Sequence, residues 1–106
     1  MAYKVLLLSR AERELRGATA YIAQRVPETA ERWFNGFITA LESLAENPER
    51  CGLAPESSLF PYQVRQFFYR TKSRYPTRAL FTIVGQEVRI LMIRRPGQAP
   101  LREKDL

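Results

Sequence analysis

The sequence predicts an α+β fold with the element order β-α-α-β-β-β, in which a helical hairpin packs on one face of a small, mainly antiparallel sheet. Three observations predict this fold. Apolar residues in the first half of the chain recur with the 3.6-residue period of a helix. Beyond the proline- and serine-containing stretch 48–62, the period falls to two, which is typical of strands. Short turn signals separate these later segments and favour hairpin connections.

The first strand is expected at residues 3–8, which are apolar and branched. Ser9 and Glu12 have the spacing of a capping box, so the first helix is predicted to begin at Ser9 and to end near Arg25. The apolar face of this helix is formed by Ala11, Leu15, Ala18 and Ile22.

The second helix is predicted to begin at Pro27, because proline fits the first turn of a helix, and to stop at Asn47-Pro48. Its wide apolar stripe consists of Ala30, Trp33, Phe34, Phe37, Leu41, Leu44 and Ala45. The spacing predicts that the aromatic members belong to the core. The short Val26-Pro27 link predicts an antiparallel helical hairpin.

Three further strands are predicted at residues 64–72, 78–84 and 87–95, with Gly85-Gln86 as a tight hairpin turn. Residues 96–106 are expected to form a flexible tail. The helices are expected to cover one face of the sheet, since their apolar stripes need an apolar partner. The other face is then expected to be more polar and to carry arginines.

The length of 106 residues predicts one domain, 1–106. Cys51 is the one cysteine, so no internal disulfide is expected. The apolar run 5–8 is too short for a signal-peptide core or a membrane span. These features favour a cytoplasmic protein without a membrane partner.

Positive charge is concentrated in the second half of the chain. Residues 1–56 carry seven basic and eight acidic side chains, whereas residues 57–106 carry ten basic and three acidic ones. The net charge of +6 therefore arises entirely from the second half. This asymmetry favours an acidic or polyanionic partner, although a solvated basic face is an equally ordinary explanation.

Several kinds of chemistry are disfavoured by composition. The chain has no histidine, which disfavours a zinc site and a Ser/His or Cys/His nucleophile. Glycine-rich phosphate loops are missing. Glu87 is the one acid between Ser57 and Leu101, which disfavours a magnesium-dependent nuclease. No metal and no cofactor are therefore expected.

Basic side chains on the predicted strands are the remaining candidates for a site: Arg65, Arg70, Lys72, Arg74, Arg78, Arg89, Arg94 and Arg95. Arg78 begins the middle strand of the meander, and Arg94 and Arg95 end the last one, so these residues are expected to meet at one edge. Guanidinium groups bind phosphate oxygens bidentately and stabilise charge that develops during RNA cleavage. A solvated basic face has about the same weight, because antiparallel sheets often expose a charged face.

Four segments of the chain carry a resemblance to a known family. They are Tyr3–Leu15, the second helix from Ala30 to Pro48, Arg78–Val84, which is similar to a Tyr-Arg-x-x-Tyr strand, and Val88–Arg95 with its terminal basic pair. In this order and at this length, they resemble the RelE/ParE superfamily of type II toxin–antitoxin systems. The resemblance implies a toxin that inhibits growth and stabilises plasmids. It also implies a cognate antitoxin that wraps around the toxin, and a toxin–antitoxin hetero-oligomer.

The resemblance implies one of two targets. RelE-like members cut mRNA on the ribosome without a metal, and ParE-like members poison DNA gyrase. For a nuclease, the resemblance assigns catalytic roles to Arg70, Lys72, Arg78 and Arg94. The other basic residues, Arg65, Arg74, Arg89 and Arg95, are then expected to bind the target.

The C-terminal tyrosine or histidine–tyrosine pair of active ribonucleases is missing after Arg95. A ribonuclease needs a group that accepts the 2′-hydroxyl proton, and arginine is a poor base. The favoured hypothesis is therefore a ParE-like toxin that acts on gyrase. The alternatives are a RelE-like, ribosome-dependent mRNA endonuclease and a non-catalytic RNA-binding module.

Overall fold

The structure is a computed structural model that describes residues 2–71 and 75–106. The element order β-α-α-β-β-β is confirmed. The strands and helices are β1 (Lys4–Leu7), α1 (Ser9–Arg25), α2 (Pro27–Glu42), β2 (Arg65–Tyr69), β3 (Thr77–Val84) and β4 (Glu87–Arg94). Short 3-10 turns lie at Ser43–Ala45, Pro48–Arg50, Pro55–Leu59 and Glu103–Asp105. No helix in the described ranges has both the length and the apolar character needed to cross a membrane.

The sheet has the strand order β1-β4-β3-β2. β1 runs parallel to β4, with Val5 opposite Val88, and the other two pairings are antiparallel. A bulge interrupts the β3–β4 ladder between Leu80 and Phe81. Because of the antiparallel register, the start of β3 lies beside the end of β4.

The capping box predicted at the start of α1 is wrong. Leu8 is the N-cap residue, and no side chain caps the helix. The backbone N–H of Glu12 donates to the Leu8 carbonyl, and the Glu12 carboxylate pairs with Arg16 one turn later. Ser9 is thus already helical, so its hydroxyl is not in the N-cap position that the motif requires.

The helical hairpin covers one face of the sheet, as predicted. Phe37 and Leu41 of α2 and Leu15 of α1 are buried against Phe81 and Ile90 of the sheet. Trp33, which the helical spacing assigns to the core, is only partly buried at the margin of this cluster. Its position leaves the indole within reach of a surface cleft.

The opposite face of the sheet, here called the distal face, is also covered. Leu80 and Met92 from the strands are buried against Ala54 and Val64 of the loop region and Leu101 of the C-terminal segment. The expectation of a polar, arginine-bearing face therefore holds only for its edges. Leu80 and Met92 alternate along their strands with the helix-facing residues, so their side chains point to the distal face. The middle of that face is therefore apolar and is covered by the loop region and the C-terminal segment.

The C-terminal segment differs from the expected flexible tail. Leu101 is 8% exposed and packs in the distal cluster. The guanidinium of Arg10 donates to the Asp105 carbonyl, and Nη2 of Arg94 donates to the Ala99 carbonyl at 2.5 Å. An apolar anchor and two contacts from arginines to its backbone thus hold the segment against the sheet and α1.

Candidate functional site

The two strand-end arginines come together as the antiparallel register predicts. Arg78 at the start of β3 lies directly opposite Arg94 at the end of β4. Both share the distal face with Leu80 and Met92, because side chains two residues apart on a strand point the same way. We call Arg78 and Arg94 the arginine pair.

The guanidinium of Arg78 already binds an internal carboxylate, that of Glu56. Nη1 and Nη2 of Arg78 donate to Oε1 and Oε2 of Glu56 at 2.9 and 2.6 Å, a bidentate geometry. Nη1 also donates to Oε1 of Gln66 on β2 at 2.9 Å. Only 23% of the Arg78 side chain and 11% of the Glu56 side chain are exposed. The guanidinium is therefore neutralised and shielded from solvent.

The electrostatics keep this pair ionised. The hydrogen bond from Arg78 is the main cause that lowers the pKa of Glu56, and the positive charges of Arg78 and Arg94 add to it against the effect of burial. The same hydrogen bond raises the pKa of Arg78. At neutral pH the contact is thus a charged pair.

The other member of the arginine pair is held by the backbone. Arg94 donates through Nη2 to the Ala99 carbonyl at 2.5 Å. Its Nε is buried and has no hydrogen-bond partner among the described residues. Arg94 therefore fixes the C-terminal segment and contributes positive potential beside Glu56.

Of the remaining predicted residues that the structure describes, Arg65 and Arg89 do not join the arginine pair, whereas Arg70 lies over Phe68, the residue opposite Arg78 in the β2–β3 register. Arg65 donates to the carbonyls of Cys51 and Glu49 at 2.6 and 3.3 Å, and Arg89 pairs with Glu87 at 2.8 Å. Arg70 lies 5.3 Å from the ring centre of Phe68, beyond the end of β2. Lys72 and Arg74 lie outside the described residues.

Glu56 is the residue of this candidate site that the sequence pattern missed. It lies in the 3-10 turn Pro55–Leu59, within a stretch that has no periodicity. The turn is fixed over the sheet in part by the Ser57 hydroxyl, which accepts the Val64 N–H at 2.9 Å. The run Pro55-Glu56-Ser57-Ser58 is typical of a turn, but it does not indicate where in the fold this turn packs.

The arrangement around the arginine pair favours binding over acid–base chemistry. Tyr69, the tyrosine of the neighbouring strand β2, is on the other face, where it stacks on Phe37 with ring centres 4.5 Å apart. Burial raises the pKa of Tyr69. In the described part of the chain, no cluster of carboxylates or thiols is placed to hold a metal ion.

A second candidate surface lies where the helical hairpin meets the end of the sheet. A cavity of about 520 Å³ opens there, lined by aromatic rings from α1, α2, β2 and the segment before β3, and by Arg95 and the residues after it. We call it the aromatic cleft, and its principal side chains are Tyr21, Trp33, Tyr69, Tyr75 and Arg95.

Two of these rings are prominently exposed. Tyr21 and Tyr75 are 45% and 59% exposed, whereas Trp33 and Tyr69 form the partly buried floor, with ring centres 5.9 Å apart. The guanidinium groups of Arg25 and Arg95 lie 4.3 and 5.3 Å from the ring centre of Tyr21. Arg95, expected to bind the target, is thus part of this cleft, on the opposite side of the sheet from Arg94.

Comparisons with known proteins identify the fold and the family separately. A solved structure described as a chromosomal ParDE toxin–antitoxin system from P. aeruginosa matches with a TM-score of 0.69. The two chains are 23% identical over 89% of this chain and 96% of that one, so the match supports the fold. A comparison with curated proteins found no match. The family model for the ParE toxin of the type II toxin–antitoxin system, parDE, matches residues 5–100. The chain therefore belongs to the ParE toxin family, whose members are the toxin components of type II toxin–antitoxin systems and have a cognate antitoxin as partner.

Proposed function

We propose that this toxin inhibits growth by binding a protein target, DNA gyrase, and that it does not cut mRNA. The observation that carries the proposal is the bidentate contact between Arg78 and Glu56. A ribonuclease of the RelE-like kind needs this arginine for the scissile phosphate. Here a phosphate would have to displace a carboxylate that is already held at 2.6 and 2.9 Å.

The engagement of the one carboxylate that binds Arg78 within the described residues supports the same proposal, because both oxygens of Glu56 already accept hydrogen bonds from this arginine. The chain has no histidine, and the hydroxyl of Tyr69 lies 3.4 Å from the Trp33 carbonyl, on the helix side of the sheet. In-line attack by a ribose hydroxyl requires a base within hydrogen-bond reach of that hydroxyl. Arg94 is engaged with the Ala99 carbonyl and is a poor base.

The proposal includes the setting in which the toxin acts. We place it in the cytoplasm, as one domain that forms a hetero-oligomer with its antitoxin and is released to reach gyrase. Membership of the ParE family supports this setting, because an antitoxin is the partner of these toxins. The ribosome-dependent endonuclease is kept as the second candidate, since the structure brings Arg78 and Arg94 together on one face.

One experiment separates the two targets. The toxin is induced without its antitoxin, and 5′ ends of cellular mRNA are mapped while purified toxin is added to gyrase supercoiling and DNA-cleavage assays. We expect intact messages and, in vitro, gyrase-dependent DNA breaks. Codon-phased mRNA cuts with unaffected gyrase would reverse the proposal.

A pair of variants sharpens this experiment. A double variant, Glu56→Gln with Arg78→Met, removes both charges together, so no unpaired charge is left in the turn. Because Arg78 is assigned no role in the target contact, growth inhibition should persist in this variant. Glu12→Gln with Arg16→Met is the matched control, because it removes both charges of an exposed ion pair on α1. Complete loss of toxicity in the Glu56→Gln, Arg78→Met variant alone, with an unchanged circular dichroism spectrum, would favour the nuclease.

A further inference from the structure

The aromatic cleft combines an apolar floor with positive charge at its rim. Trp33 and Tyr69 form the floor, and Arg95 is the one charged residue among those that line the cavity within the described residues. A cavity of about 520 Å³ is of the size that accepts one large side chain together with part of its neighbours. Exposed aromatic residues around such a cavity are the usual centre of a protein–protein contact.

The cations at this rim differ from the arginines of the sheet. Arg78 and Arg89 pair with Glu56 and Glu87. Within residues 2–71 and 75–106, neither Arg25 nor Arg95 lies within ion-pair distance of an acid, and both lie over the ring of Tyr21. Their charge is therefore available to an acidic partner.

We propose that the aromatic cleft is a binding site for the cognate antitoxin, which inserts a large apolar side chain against Trp33 and Tyr69 and places a neighbouring carboxylate against Arg95. This inference rests on membership of the toxin–antitoxin family and not on the identity of the toxin's target. The carboxylate gains a cation that has no acidic partner among the described residues, and the apolar side chain buries exposed ring surface. Each contact strengthens the other, because the inserted side chain removes water from the rim.

Charge complementarity favours an acidic peptide over a nucleic acid. Single-stranded nucleic acid follows an extended basic groove, with several cations placed along its backbone. The described sheet arginines do not form such a groove, since Arg65 and Arg94 bind backbone carbonyls and Arg78 binds Glu56. Two cations beside one apolar cavity are instead complementary to a peptide that has one large apolar side chain and one or two acidic residues next to it.

The first test measures affinity for the protein encoded beside this gene, added as purified antitoxin. Arg95→Glu reverses the charge at the cleft, and Arg16→Glu makes the same change on an exposed side chain of α1 whose partner is Glu12. We expect Arg95→Glu to raise the Kd by about tenfold or more and Arg16→Glu to change it little. Equal affinities for the two variants would overturn the proposal.

A charge-swap panel extends this test to the partner. Single Asp→Lys and Glu→Lys variants of the antitoxin are titrated against the Arg95→Glu toxin. One of them should restore most of the lost affinity, because it recreates the ion pair with reversed signs. Arg95→Gln, which adds no negative charge, controls for simple repulsion and should lie between the wild type and Arg95→Glu. A panel without any rescue would count against the proposed contact.

Trp33 provides a direct readout, because it is the one tryptophan of the chain. Toxin labelled with 5-fluorotryptophan gives a single ¹⁹F resonance from the cleft floor. Antitoxin binding should shift this resonance, and with Arg95→Glu a smaller fraction of the toxin should show the shift at concentrations that just saturate the wild type. A complex that forms with an unshifted Trp33 resonance would place the antitoxin elsewhere.

Two further outcomes separate this inference from the proposed function. If Arg95→Glu abolishes gyrase poisoning but leaves antitoxin binding intact, the cleft contacts the target and the inference is wrong. If an oligouridylate RNA shifts the Trp33 resonance and the antitoxin does not, the cleft binds nucleic acid and the inference is also wrong. Failure to poison gyrase together with normal cleft-dependent antitoxin binding would refute only the proposed function.

Discussion

Glu56 determines what Arg78 does at the end of the sheet. From the sequence alone, Arg78 is expected to be a free guanidinium beside another arginine, which is an arrangement that binds phosphate. The pairing of Arg78 with Arg94 is predictable, because an antiparallel register places the start of one strand beside the end of the next. The position of Glu56 is not predictable, because its turn follows no periodic pattern. The Glu56 contact depends on tertiary folding of the loop.

The first prediction concerns the stability that this ion pair provides. Glu56→Gln leaves the partly shielded Arg78 without a carboxylate, and we expect it to lower the free energy of unfolding by about 1–3 kcal/mol at pH 7. Urea denaturation followed by circular dichroism measures the loss. Glu12→Gln, which breaks the exposed pair with Arg16, is the control and should cost less than about 0.5 kcal/mol.

The Arg78–Glu56 pair also predicts how the stability of the fold changes with pH. Because the folded-state pKa of Glu56 is lowered, its contribution is fully present above the pKa of the unfolded carboxyl. It is lost as the pH falls from there through the lower folded-state pKa, where Glu56 is protonated. The stability difference between wild type and Glu56→Gln should therefore shrink in acid. A difference that grew as the pH fell would contradict the assigned shift.

At the scale of elements, hydrophobic periodicity predicts the helices closely and the connecting segments poorly. The predicted ends of α1 and the start of α2 agree with the structure. The strand predicted at 64–72 is confirmed over Arg65–Tyr69, and Lys72 lies outside the described residues. The C-terminal segment differs because a single apolar residue, Leu101, anchors it, and one residue creates no periodic signal.

The second prediction tests this anchor. Leu101→Ala removes a nearly buried side chain from the distal cluster and should lower the free energy of unfolding by about 2–3 kcal/mol. Leu106→Ala makes the same chemical change where the side chain is 48% exposed and should have little effect. Thermal unfolding by calorimetry compares them. Equal melting temperatures for both variants would show that the segment does not support the fold.

The third prediction uses two glycines in the helices. A Cβ on Gly36 of α2 would lie 2.4 Å from the hydroxyl of Tyr69, whereas a Cβ on Gly17 of α1 meets nothing within 4 Å. Gly17→Ala should therefore stabilise the protein by about 0.4–1 kcal/mol through helix propensity. Gly36→Ala should destabilise it by about 1–3 kcal/mol, since the ring of Tyr69 is stacked on Phe37 and has to move. Chemical denaturation of both variants checks the opposite signs.

At the scale of the molecule, the charge asymmetry of the sequence is real, and several of the arginines that produce it are engaged by internal partners. Residues 57–106 carry ten basic side chains. In the described part of the chain, Arg78 and Arg89 have carboxylate partners, and Arg65 and Arg94 bind backbone carbonyls. Composition predicts the sign of the net charge but not where unpaired charge lies on the surface. That distribution depends on which loop residues fold against which strand. The aromatic cleft cannot be predicted from the sequence for the same reason, since its walls come from five separate segments.

The last prediction follows from this internal compensation. Binding of a single-stranded RNA 12-mer should show a shallow salt dependence, with a slope of log K against log salt that corresponds to about two or three phosphate contacts. Replacing Glu56 and Glu87 together by Gln frees Arg78 and Arg89 on the sheet, so the slope should steepen by about one to two contacts. The control, Glu28→Gln with Glu31→Gln, changes the net charge equally on α2 but frees no sheet arginine. Fluorescence anisotropy over a salt series measures the slopes. If both double variants steepened the slope equally, RNA would be responding to net charge alone, and internal pairing of the sheet arginines would not explain a shallow salt dependence.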